Sequence, residues 1–279
     1  MPYRLARIAS LLAAVAALAA ALLGPVPGTP PSSAAPAAAT SSAGTSSAGT
    51  HRSGNVLETR VLGRSVRGRS ITAWHLGDRP LDGRTGPTVV LIATMHGNEG
   101  APRQILRTLR GARAIHGVDL WLVPAYNPDG LAAHTRRNAH GVDLNRNYPY
   151  HWVDLDGNYE SGAHPASEPE TRAMMGFLRD VDPDYVLSFH QPLNGVDTDN
   201  KRPGFSRHVA RTLRLPSTTL DCGGVCHGTM TGWFNHNFKG FALTVEYGAH
   251  PPRRLMQDVA PRQVLKIFDA FASFGAGGR

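Results

Sequence analysis

The segment Thr88-Val-Val-Leu-Ile-Ala-Thr-Met-His-Gly-Asn-Glu99 decides the fold class of this chain. Its apolar, β-branched run from Thr88 to Thr94 does not alternate, as expected of a strand covered on both faces, and it stops at a histidine and a glutamate. Two later segments repeat the pattern: Tyr185–Phe189 stops at His190, and Phe241–Val245 stops at Glu246. Val118–Val123 reads as another buried strand, and Val56–Leu62 and Ser70–Leu76 read as two short strands joined by the turn Gly63–Gly68. Between the strands lie helical patterns. Ile105, Leu106 and Leu109 give helical spacing within Ala101–Arg113, and Ser167-x-x-Glu170 predicts a capping box opening a helix to about Asp180. Arg253–Phe274 predicts one long amphipathic helix at the end of the chain. Alternating strands and helices imply a single α/β domain with a mixed, mostly parallel sheet flanked by helices on both faces. In such sheets ligand chemistry collects beyond the carboxyl ends of the strands.

Those ends bring together His96, Glu99, His190 and Glu246. Each has a plain reading by itself: a loop His-x-x-Glu facing solvent, a buried histidine bonded to backbone, a carboxylate paired or hydrated at a strand end. Together they offer the three His/Glu ligands of a catalytic zinc ion, leaving one open position and a spare carboxylate. One zinc per chain, held by His96, Glu99 and His190, is the expectation.

The ordered motifs Gly63-x-Ser-x-x-Gly-Arg69, His96-Gly-Asn-Glu99, Asn127-Pro-Asp-Gly130, Arg136-Arg-Asn138, Gly141-Val-Asp-Leu-Asn-Arg-Asn147, Ser167-Glu-Pro-Glu170, His190 and Glu246 extend this reading. The chain from about Leu57 onward resembles the zinc metallocarboxypeptidases of the carboxypeptidase A-like family, and its short spacing resembles their bacterial murein peptide amidase branch. The resemblance implies that Asp143 orients His96 through its second ring nitrogen. It implies that Arg136 stabilises the tetrahedral oxyanion, that Asn145 and Arg146 grip a substrate carboxylate, and that Glu246 moves a proton from the attacking water to the leaving amine. From chemistry alone either Arg136 or Arg137 would serve the oxyanion; the motif selects Arg136. Asn127 and Asp129 read first as turn residues, and Glu168 and Glu170 as residues of a helix start.

The sequence departs from the digestive members of that family in one place. They carry a mobile tyrosine where this chain has Gly228-Thr-Met-Thr-Gly-Trp233, and Tyr247, next to Glu246, would point to the other side of its strand. Met230, Thr231 and Trp233 are therefore expected to form the distal wall of the pocket. Just before them, Cys222-Gly-Gly-Val-Cys226 suggests a local disulfide in an exported protein.

Export itself is read from the start of the chain. Arg4 and Arg7 precede an apolar run from Ile8 to Leu23, which resembles a secretory signal peptide and approaches the length of a membrane anchor. Residues 1–39 are taken as this leader with its Ala/Pro-rich tail, 40–54 as a flexible linker, and 55–279 as the catalytic domain. After cleavage no stable membrane span is expected, and the location would be secreted or cell-envelope. The 279 residues carry a formal charge of +8, and the only lysines are Lys201, Lys239 and Lys266. Their companion arginines are scattered rather than gathered into a basic face, so nucleic acid is not an expected partner. The expected substrate is a peptide or murein stem peptide, cleaved next to a carboxylate-bearing residue at the γ-D-glutamyl–diaminopimelate bond. A general metallocarboxypeptidase and an inactive wall-binding module are the alternatives; oligomeric state is left open.

Overall fold

Strand β3 (Thr88–Ala93) lies at the middle of an eight-stranded sheet, and the candidate metal donors lie just beyond its carboxyl end and at that of a neighbouring strand. A computed structural model provides the coordinates, which describe residues 55–77, 86–220 and 224–275. The expected leader, linker and Cys222 lie outside the described residues. The remaining strands are β1 (Val56–Arg64), β2 (Ser70–Gly77), β4 (Ala114–His116), β5 (Asp119–Val123), β6 (Tyr185–His190), β7 (Leu193–Asp197), β8 (Ser217–Thr218), β9 (Phe241–Gly248) and β10 (Phe271–Ser273). Their order in the sheet is β1-β2-β5-β3-β6-β9-β7-β8, while β10 pairs with β4 in a separate ribbon. The four central strands β5, β3, β6 and β9 run parallel; β1, β2 and β7 are antiparallel to their inner neighbours.

Alternation along the central strands builds two cores. Val89, Leu91 and Ala93 face one side, where α1 (Arg103–Arg110), α4 (Pro203–Leu213) and α6 (Ala260–Lys266) pack. Val90 and Ile92 face the other, against α3 (Pro169–Val181) and α5 (Met230–Asn237). Helices thus cover both faces, which is why the inner strands are predominantly apolar on both sides. A short helix, α2 (Pro128–Ala133), completes the set, capped by the Asn127 side chain accepting from Gly130 N at 2.8 Å. Asn127 is therefore a turn and cap residue, and Asp129 accepts from the Arg67 backbone and pairs with Arg69. Among the described residues no helix is long and apolar enough to cross a membrane.

Two expected elements come out differently. The capping box does not form: Glu168 occupies the N-cap position of α3 without a side-chain cap, and Pro169 opens the helix. Ser167 Oγ donates to Glu168 instead, and Glu170 accepts from Val66 N and Asn138 Nδ2, so tertiary partners outcompete the local exchange. The C-terminal helix is also shorter than predicted. A π-helical turn at Leu255–Val259 leads into α6, Asp269 takes a left-handed conformation at φ 54°, and the chain leaves as β10. Ile267, Phe268 and Ala270 still reach the core, so the apolar spacing persists after the helix has stopped. Periodicity alone could not reveal that stop.

Candidate metal centre

The neighbouring carboxyl ends of β3 and β6 form the floor of the site. Beyond β3, Thr94 holds a left-handed backbone at φ 60° and donates its hydroxyl to Pro124 O, turning the chain so that His96 and Glu99 face inward. Left-handed geometry at a β-branched residue is strained, and it sits where the loop must reverse. Gly97 lies so close to α2 that a Cβ there would fall 1.9 Å from the Gly130 carbonyl carbon. Only glycine fits this approach.

His96 Nδ1 lies 2.7 Å from Glu99 Oε1, His190 Nδ1 lies 2.9 Å from Glu99 Oε2, and the two Nδ1 atoms are 3.2 Å apart. All three residues are buried, and their donor atoms lie within 4.8 Å of one another. A tetrahedral zinc with bonds near 2.0–2.1 Å places its ligand atoms about 3.3 Å apart, so two imidazole nitrogens and a carboxylate spaced in this way fit that ion. The outer nitrogens are also engaged: His96 Nε2 lies 3.0 Å from Asp143 Oδ1, and His190 Nε2 lies 2.9 Å from Ser188 Oγ.

The charges are mutually dependent. Burial opposes a charged His96, but the carboxylates of Asp143 and Glu99 outweigh it and push the imidazole up to about 9. Burial likewise opposes an ionised Glu99, yet His96 and His190 hold it down at about 2. Asp143 is fully buried and held well below the usual carboxylate range by His96 and Arg136 against the cost of burial. Glu246 moves the other way: burial raises it above its ordinary value, with His190 opposing and Glu99 adding to the rise. Strand register places Glu246 beside the metal donors, because β9 pairs with β6 at Glu246↔His190. Its Oε2 accepts from Leu193 N at 3.2 Å.

The loop between Arg136 and Asn147 supplies the rest. Arg136 donates Nε and Nη2 to Asp143 Oδ2 at 2.9 and 2.8 Å, while its Nη1 reaches to 3.5 Å from Glu99 Oε1. Arg137 turns away and donates to Gly157 O. Asn145 Oδ1 accepts from Met230 N at 3.0 Å. Arg146 is 4% exposed, donates Nη1 to Asn145 O, and its buried Nε has no hydrogen-bond partner among the described residues. Burial lowers its pKa, opposed by Asp143 and assisted by Arg136.

These groups line a cavity of about 950 Å³. Its distal wall departs from expectation. Thr231 lines it, but Met230 and Trp233 are buried in the core beneath α5. Tyr150, Tyr159 and His236 stand in the wall instead, with Asp197, Asp199 and Lys201 farther round. Tyr150, Asp199 and Lys201 come from connecting segments, Tyr159 from a short helical turn, His236 from α5 and Asp197 from β7, and no spacing in the sequence marks them as pocket wall. The expected Cys222–Cys226 bridge has its Cys222 partner outside the described residues.

The sequence pattern of the zinc carboxypeptidase family matches residues 49–192, just over half of the chain. The chain belongs to the zinc carboxypeptidase family. The match takes in His96, Glu99 and His190 and stops before Glu246, which only the sheet register brings to the site. Among curated relatives, murein peptide amidase A of Escherichia coli (strain K12) is 32% identical over 162 residues, covering 52% of this chain and 64% of the amidase. The human carboxypeptidase N catalytic chain is 30% identical over 173 residues, 48% of this chain and 36% of that one. This zinc carboxypeptidase homologue thus spans less than two thirds of the length of these relatives. Murein-tripeptide amidase MpaA from Escherichia coli O157 has a similar fold, with a TM-score of 0.59 and 24% identity over 73% of this chain and 88% of that one. Bovine thrombin-activatable fibrinolysis inhibitor gives a TM-score of 0.64 at 17% identity, covering 76% and 89%.

Proposed function

We propose that this chain is an exported zinc-dependent hydrolase that cleaves the γ-D-glutamyl–diaminopimelate bond of murein stem peptides. The observation that carries the reading is the convergence of His96 Nδ1, His190 Nδ1 and the Glu99 carboxylate at adjoining strand ends, with Glu246 beside His190 and Arg146 behind them. Zinc held by these three residues would supply Lewis-acid polarisation of the scissile carbonyl and a more acidic water. The remaining work belongs to the protein. Arg146, with a buried and unpartnered Nε, and Asn145 hold the substrate carboxylate. Arg136, braced on Asp143, aims Nη1 at the side of the site where negative charge develops on the carbonyl oxygen. Glu246 is more basic than an ordinary carboxylate because it is buried, which suits it to take a proton from the attacking water and deliver it to the leaving nitrogen.

Similarity to murein peptide amidase A supports a murein peptide as the substrate. The Arg4-to-Leu23 leader supports delivery to the envelope, where murein is found, and an oxidised Cys222–Cys226 pair would accompany that location. The 30% identity to carboxypeptidase N favours a second reading, release of ordinary C-terminal residues. Mass spectrometry of murein tripeptides and of ordinary L-peptides, incubated with the zinc-loaded protein, separates the two. Release of diaminopimelate at a kcat/KM far above that for ordinary C-terminal residues is expected; equal efficiency installs the general carboxypeptidase. No release of either would leave a wall-binding module.

A further inference from the structure

Arg136 and Arg146 share one wall of the cavity and repel each other, with Asp143 as their common counter-charge. One aromatic ring touches both. The Tyr159 centroid lies 5.4 Å from Arg136 Cζ and 5.1 Å from Arg146 Cζ, inside the range of attraction between a guanidinium and an aromatic face. The ring is 39% exposed, so it meets the cavity on one side while shielding the guanidiniums on the other.

Its position is fixed by backbone on both flanks. Arg137 Nη1 donates to Gly157 O at 2.7 Å, and Asp143 N donates to Glu160 O at 2.7 Å, so the short helical turn Gly157–Tyr159 is fastened to the segment that carries the two arginines. Ser161, fully buried, secures the base of the turn through Leu155 N, Val153 O and Asn147 Nδ2. Tyr159 is thus a standing wall rather than a hinged cover. We propose that Tyr159 is a specificity-determining residue of the pocket, its ring keeping Arg136 and Arg146 together and partly dehydrated so that Arg146, beside a second positive charge, prefers a carboxylate over a neutral group. The inference rests on the reading that both arginines face a carboxylate-bearing substrate. A guanidinium stripped of some water gains more from an incoming anion, because the local dielectric is lower.

The test uses the zinc-loaded full chain carrying Glu246→Gln, so that binding is read without turnover. N-acetylated dipeptides with a free C-terminal carboxylate, and the same peptides as C-terminal amides, are titrated by calorimetry. Tyr159→Leu should weaken the acids about 5- to 30-fold, or about 1–2 kcal/mol at 1.4 kcal/mol per tenfold, and leave the amides unchanged. Tyr159→Phe, which retains the ring, should stay within about twofold of the parent for both. In an Arg146→Met background the leucine substitution should lose most of its effect on the acids. Equal weakening of acids and amides by Tyr159→Leu, the same loss in Tyr159→Phe, or no preference for acids in the parent would overturn the proposal. Acid preference in the Glu246→Gln protein, with a zinc-loaded wild type that cleaves no murein peptide, would refute the proposed reaction and leave the role of Tyr159 standing.

Discussion

Replacing Asp143 with asparagine should change zinc affinity by an amount that depends on pH, because the carboxylate acts on His96 in two opposed ways. Asp143 makes the imidazole a better donor, and losing such a partner costs metal affinity about 10- to 100-fold. It also makes the imidazole a better base. With His96 pushed up to about 9, an ion approaching at pH 7 meets a ring that is about 99% protonated and must displace the Nδ1 proton now shared with Glu99. That competition lowers apparent affinity about 100-fold at pH 7 and only about twofold at pH 9. The proton is held below pH 9, and competition fades as pH rises through that value. Asparagine relieves much of the competition but also removes the donor's support. The ratio of wild-type to Asp143→Asn affinity should therefore be small near pH 6.5, then climb at least about tenfold by pH 9. Competition with a chelator at both values, with proton release followed by calorimetry in buffers of different ionisation heat, measures it. A ratio that stays flat, or wild-type binding at pH 7 that releases no proton, refutes the reasoning.

Glu246→Gln should keep the fold and the zinc but lower kcat at least about 100-fold, the lower end for loss of a general acid–base group. Near-normal turnover in a steady-state assay would move proton transfer elsewhere. Gly97→Ala places a methyl 1.9 Å from the Gly130 carbonyl carbon, so either α2 or the His96 loop must move. We expect a loss of about 1–3 kcal/mol in urea unfolding, together with lower zinc occupancy. Unchanged stability and occupancy would show that the loop has room which the structure denies.

The strand-end chemistry was legible because it depends on local facts. An apolar run ending at His190 or Glu246 says that a buried strand stops and a polar group begins, and the parallel register then sets the two side by side. The pocket walls were not legible for the opposite reason. Met230 and Trp233 lie within two residues of Thr231 in sequence, yet the helical turn of α5 sends them to the core while Thr231 faces the cavity. Tyr159 enters the site where two hydrogen bonds fasten its turn to Arg137 and Asp143, about 20 residues earlier in the chain. The end of the predicted C-terminal helix failed similarly: Phe271–Ser273 pair with Ala114–His116, a partner that no local spacing reveals.

The pairing of Glu246 with His190 also orders events during synthesis. By the time β6 has been made, the chain possesses all three candidate metal donors, whereas Glu246, the proposed proton carrier, arrives only with β9. Until then β6 keeps one edge unpaired, a row of backbone donors and acceptors open to association with another chain. A chain halted before Phe241 would hold all three candidate metal donors but lack the proposed proton carrier, and it would leave a strand edge open. Docking of β9 closes that inner edge and sets Glu246 beside His190 in one step, so that the shielding of the sheet's middle and the completion of the candidate site come from the same strand.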